Sequence, residues 1–192
     1  MLQSPLVKIA TLVFCTLGSI SIVMSSFLFK KTLGNSGQMQ IITDTSRYEE
    51  IRNQLWSNHD EVTHFPAQIP PDAQRVHLAY SPGLNQGDSF FQVRFKQPFS
   101  KIRQLLSYYG KISQHQYRGG DTNDHLNQPN GVPTTFFYTG DTATESFPPT
   151  YEIMVLNVQD QGAAGFKWNH GDSYGVAINT SDSEIVYWVE KW

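Results

Sequence analysis

Residues 174–192 read YGVAINTSDSEIVYWVEKW, and the alternation in this stretch decides the fold. Tyr174 to Asn179 and Glu184 to Trp192 are rich in branched and aromatic residues, the composition of strands. Thr180, Ser181, Asp182 and Ser183 lie between them and carry the short polar side chains that favour turns. Two strands joined by so short a link must pair antiparallel. In the second strand Ile185, Tyr187 and Val189 share one face, so they are expected in the core.

Upstream the same period recurs. Arg75 to Tyr80 alternates Val76, Leu78 and Tyr80 against His77 and Ala79 before the turn signal Pro82-Gly83. Ser89 to Lys96 sets Phe91, Val93 and Phe95 against Phe90, Gln92, Arg94 and Lys96. The stretches 134–139 and 151–158 read as further strands, separated by a turn containing Pro148 and Pro149. Helical spacing appears twice. Pro98 opens a segment in which Ile102, Leu105, Leu106 and Tyr109 form one stripe, with Gly110 as its expected end. A shorter helix is expected from Ser46, whose capping box with Glu49 precedes Tyr48, Ile51 and Leu55, as far as Trp56. Between the short helix and the first strand, residues 57–72 carry Pro66, Pro70 and Pro71 and read as an irregular connection. Residues 117–133 have no periodicity and read as the longest loop. The expected fold is α+β: an antiparallel sheet of about five or six strands with a main helix from Pro98 to Tyr109 packed on one face.

The N-terminal region has a different character. Ile9 to Phe29 runs 21 residues without a charge, between Lys8 and the pair Lys30-Lys31. As a helix it would span roughly 31 Å, the thickness of a hydrocarbon core. A cleavage site could follow Val23, Met24 and Ser25, but apolar residues and two lysines come after it, as in a stop rather than a scission point. Residues 1–31 are therefore expected to form an uncleaved anchor with its flanks, 32–40 a linker and 41–192 one soluble domain, with the lipid bilayer as partner of residues 9–29. The charges flanking the anchor nearly balance. The short N-terminal tail favours the inside, which puts the domain outside the cytoplasm.

From Gln40 onward 17 acidic residues face 11 basic ones, a charge of about −6, and the basic residues are scattered. Counterion release from phosphates needs Lys and Arg in clusters, so nucleic acid is not expected as a partner. The only cysteine is Cys15, inside the apolar segment, which excludes a disulfide or a thiolate metal site in the domain.

Chemistry-bearing residues gather in three places. His59, Asp60, Glu61 and His64 resemble metal ligands in type, but the histidines are five apart rather than four and they read as solvated loop residues. Asp121, Asn123, Asp124 and His125 offer oxygen ligands of the kind calcium takes. His125 and Leu126 nevertheless stand where a calcium loop needs an oxygen donor and a glycine. His170 and Asp172 could pair for general base work, yet no serine or threonine stands in a nucleophile frame beside them. Asp121, Asn123, Asp124, His125, His170 and Asp172 are thus the ligand-binding candidates, with no catalytic set, metal site or cofactor expected. Adjacent aromatic residues such as Phe90 and Phe91, or Tyr187 and Trp188, must point to opposite faces of the sheet, so a second aromatic face is either a binding surface or covered. Asn179, Thr180 and Ser181 match a glycosylation sequon.

The anchor, the run HFPAQIPPDA at 64–73 and the ending YGVAINTSDSEIVYWVEKW together resemble uncharacterised single-pass membrane proteins of cyanobacterial type. The resemblance implies a bacterial membrane and brings no activity, catalytic residue or ligand. The expected function is a non-enzymatic binding or scaffolding module held at the membrane surface, with a protein as partner. The competing expectation is a tethered hydrolase using His125 or His170 with nearby carboxylates.

Overall fold

The terminal hairpin lies in the interior of an antiparallel sheet. The computed structural model describes residues 41–83, 89–120, 137–138, 143–144, 147–166 and 168–192. Its strands are β1 (Gln74–Ser81), β2 (Ser89–Lys96), β3 (His115–Arg118), β4 (Phe137–Tyr138), β5 (Ala143–Thr144), β6 (Glu152–Asp160), β7 (Gly171–Asn179) and β8 (Glu184–Lys191). Six of them form one sheet in the order β1-β2-β8-β7-β6-β3, while β4 and β5 pair as a separate ribbon. Every pairing is antiparallel. The α+β architecture is thus as expected.

β8 is fully paired on both sides, with β2 from Glu184↔Lys96 to Lys191↔Ser89 and with β7 from Glu184↔Asn179 to Lys191↔Asp172. Both of its faces are buried. Ile185, Tyr187 and Val189 belong to one apolar cluster, and Val186 and Trp188 to another. The first cluster is closed by two layers. A helix, α1 (Phe99–Ile112), contributes Ile102 and Tyr109, and the segment from Tyr48 to Phe65 contributes Tyr48, Ile51, Trp56, Val62 and Phe65. Phe65 stacks on Phe91 at 4.6 Å and 7°, and Tyr48 tilts against the same ring at 5.8 Å. Burying each such side chain contributes about 1.5–3 kcal/mol, so this proline-rich connection is a core layer.

Several local expectations are corrected. α1 does not stop at Gly110 but continues to Ile112, ending where the Ser113 N–H donates to the Tyr109 carbonyl at 2.9 Å. Gly110 lacks the left-handed backbone of a terminating glycine, and the Gln116 side chain donates to its carbonyl at 2.7 Å. The first helical segment is capped by Asp44, whose Oδ1 accepts from the Ser46 N–H at 3.0 Å, rather than by Ser46 itself. It tightens at Thr45–Arg47, makes one α turn at Tyr48–Glu50 and widens at Ile51–Leu55. β3 takes two residues from the start of the expected 117–133 loop and forms the sheet edge against β6. The expected strand at 134–139 is described only at Phe137 and Tyr138.

The second face of the sheet is mixed in character. Trp188 lies across Gly175, its cross-strand partner, where a Cβ would meet the indole Cζ2 at 2.9 Å and the Met154 carbonyl oxygen at 2.2 Å. Beside it Phe147, Tyr151, Ile153, Val155, Ala177 and Val186 are buried. The Tyr151 hydroxyl donates to Glu184 Oε1, and Arg94 stands 4.0 Å from the same oxygen. Phe90 and Trp188, the aromatic residues that β2 and β8 turn to this face, are buried. Asn179 is also buried, and its amide bonds Thr150, Ser181 and Asp182, so the sequon side chain is committed to the turn. Among the described residues no helix is long and apolar enough to cross a membrane; the expected anchor at 9–29 lies outside them.

Candidate functional site

The registers bring the start of β7 and the ends of β6 and β8 to one end of the sheet. There the segment following Trp56 crosses the face of the first cluster and leaves a recess of about 410 Å³. Asn58, Asp60 and Glu61 form one wall, in a helical turn capped by the Asn58 side chain, which accepts from the Asp60 N–H at 3.2 Å. β6 and the residue after it supply Asn157, Gln159 and Gln161. Asp172 and Tyr174 come from β7 and Lys191 from β8. Alternation places Asp172 and Tyr174 on the face that carries Val176 and Ile178 deeper in the core.

Charge in the recess is held in place. Glu61 is buried, and it accepts from Trp56 Nε1 at 2.8 Å and Asn58 Nδ2 at 2.9 Å while pairing with Lys191 Nζ at 3.0 Å. Lys191 also sits 5.7 Å over the Trp56 ring, a cation–π contact. Asp172 is buried and accepts from Gln161 Nε2 at 2.6 Å. Burial pushes the Asp172 carboxyl above the usual range, and the charge of Glu61 adds to the shift; the Gln161 bond and Lys191 oppose it. Tyr174 is raised by burial and then by Glu61, Asp172 and Asp60, so the recess is electronegative despite its lysine. Four amide side chains, three carboxylates, one ammonium and one phenol make a surface that both donates and accepts hydrogen bonds.

Behind the recess lies His64. Its ring stacks on Tyr174 at 5.1 Å and 24°, and Nε2 donates to the carbonyls of Gly175 at 3.1 Å and Trp188 at 3.2 Å. Two acceptors at one nitrogen fix the proton on Nε2 and leave Nδ1 as a buried acceptor without a hydrogen-bond partner. Burial drives this imidazole down to a pKa of about 4.

The sequence candidates divide accordingly. Asp172 lies in the recess. His170 is exposed on the preceding turn, where its carbonyl accepts from the Gln161 N–H at 2.8 Å, and it does not line the recess. Asp121, Asn123, Asp124 and His125 lie outside the described residues. The quartet read as solvated needs correction: Glu61 is buried under three donors and His64 is packed between Tyr174 and Phe65, while His59 and Asp60 are exposed. Among the described residues no three His, Cys, Asp or Glu side chains cluster as a metal site. Asn157, Gln159, Gln161 and Lys191 carry no motif; only the strand alternation around the 161–170 connection could have placed them at one end of the sheet. No protein-family model matches this sequence, and neither curated proteins nor solved structures give a match.

Proposed function

We propose that the chain is a non-enzymatic, single-pass membrane protein whose α+β domain lies outside the cytoplasm and binds a protein partner through the polar recess. The carrying observation is how the recess holds its charged groups. Glu61 is locked by three donors and Asp172 by Gln161, so these carboxylates are fixed acceptors rather than groups free to exchange protons with a substrate. The lining contains no histidine, serine, threonine or cysteine among the described residues, and its exposed amides suit hydrogen bonding to a polar partner segment. The uncharged run of residues 9–29 supports the tether, and the resemblance to single-pass proteins of cyanobacterial type supports a bacterial membrane.

Site-specific photo-crosslinking tests the reading. A photoreactive residue at Gln159, in the full chain in its native membranes, is expected to trap a discrete protein adduct that Asp60→Arg abolishes. The same adducts from a photoreactive residue at Ser181, at the far end of the sheet, or none at either position, would contradict it.

A further inference from the structure

The connection between β6 and β7 presents an apolar tip on a rigid frame. Ala163, Ala164, Gly165 and Phe166 are all exposed, Phe166 at 68%, and none of the four has a polar side chain. The frame is built by Asp160, whose Oδ1 accepts from the Gly162 and Trp168 N–H groups, each at 2.9 Å. The Phe166 N–H closes a turn onto the Ala163 carbonyl at 2.8 Å, and Gly165 has φ +89°, a conformation other residues rarely adopt. Trp168 backs the tip, its carbonyl accepting from the Trp192 indole at 2.9 Å. Among the described residues Phe166 is the most exposed of the large apolar side chains.

The route of the chain identifies what covers it. Ile42 bridges Tyr80 of β1 in antiparallel sense, so the described chain begins, at Ile41, beside the end of the sheet where β1 finishes. The registers put Ser81, Ser89, Lys191 and Gly171 at that same end, along with the 161–170 connection. From β1 to β6 is four strand spacings, about 19 Å. The nine residues from 32 to 40 reach at most about 30 Å beyond the expected anchor. The tip is therefore within the tether's reach of a lipid surface. Its sequence, Phe166 followed by Lys167 and Trp168, has the aromatic and lysine mixture of the bilayer interface. The acidic domain has little general attraction for anionic lipid, so an apolar contact is what would hold it there.

Resting on the tethered reading above, we infer that the 163–166 tip is a lipid-contacting loop that seats the recess-bearing end of the domain against the bilayer through Phe166. The test uses the full chain in phosphatidylcholine vesicles, with Cys15→Ser and a nitroxide attached at Ala164→Cys, which leaves Phe166 in place, and the same label at Ser181→Cys as reference. Flotation reports the tether and spin-label collision rates report the tip. The expected result is a floating protein whose Ala164 label collides with oxygen severalfold more, relative to a water-soluble nickel chelate, than the Ser181 label does. A floating protein with equal ratios at the two sites overturns the inference and leaves the tether standing. A protein that stays at the bottom of the gradient overturns both.

Discussion

His64 is the residue whose environment departs furthest from what its neighbours in sequence suggest. Enclosed by Phe65, Tyr174 and two sheet carbonyls, with Nδ1 unpartnered, it is neutral in the folded state down to a pKa of about 4, against 6.5 in the unfolded chain. The unfolded state therefore binds the proton first. Stability from this group is intact above pH 6.5 and is lost as pH falls from there through 4, by about 3 kcal/mol in all. Asp172 acts oppositely, since a raised carboxyl pKa is a burden at neutral pH that protonation relieves. Urea unfolding at pH 7 and pH 4.5 should show that His64→Gln loses less stability on acidification than the native chain. An equal loss in both would remove His64 from the acid response. Gly175 sets a second residue-scale constraint, because the first obstacle to a Cβ there is the Met154 carbonyl oxygen at 2.2 Å, a backbone atom that cannot step aside. Gly175→Ala is expected to cost about 2 kcal/mol or more. A chemical-denaturation midpoint within error of the native value would show that the strands can separate locally at that point.

At the scale of elements, most of the sheet was readable because its strands obey a period of two, and β2 and the terminal hairpin lie where the alternation puts them. β3 is not legible in the sequence because HQYR offers only four residues of alternation beside a glycine pair. The 57–72 connection departs from its expected irregular, solvated character for a different reason. Three prolines erase any period, yet burial needs no period when a sheet face waits above, and Val62 and Phe65 are as deep in the core as any strand residue. The same cover buries Glu61 and half-buries His64, which sequence alone presents as solvated. Of the recess only Asp172 is legible, because the site assembles from four segments that share an end of the sheet and no spacing in the chain. α1 gives an element-scale prediction. Gly110 lies inside the helix with nothing within 4 Å of where a Cβ would stand, so Gly110→Ala should stabilise the protein by about 0.5–1 kcal/mol. A lowered thermal midpoint in the variant would mean that the last turn of α1 is not helical in solution.

For the whole molecule, the features attributed to function gather at one end of the sheet. The described chain begins there at Ile41, the polar recess opens there, and the apolar tip projects there, while the opposite end holds the tightly bonded Asn179 turn. Both the recess reading and the lipid-contacting tip depend on residues 9–29 remaining in the chain and in the membrane. Alkaline carbonate extraction of membranes containing the full-length protein, with the mass of the recovered chain measured, tests that most directly. The expected result is an uncleaved chain that stays with the membrane pellet. A chain released into the supernatant, or one shortened by removal of its first residues, would contradict it.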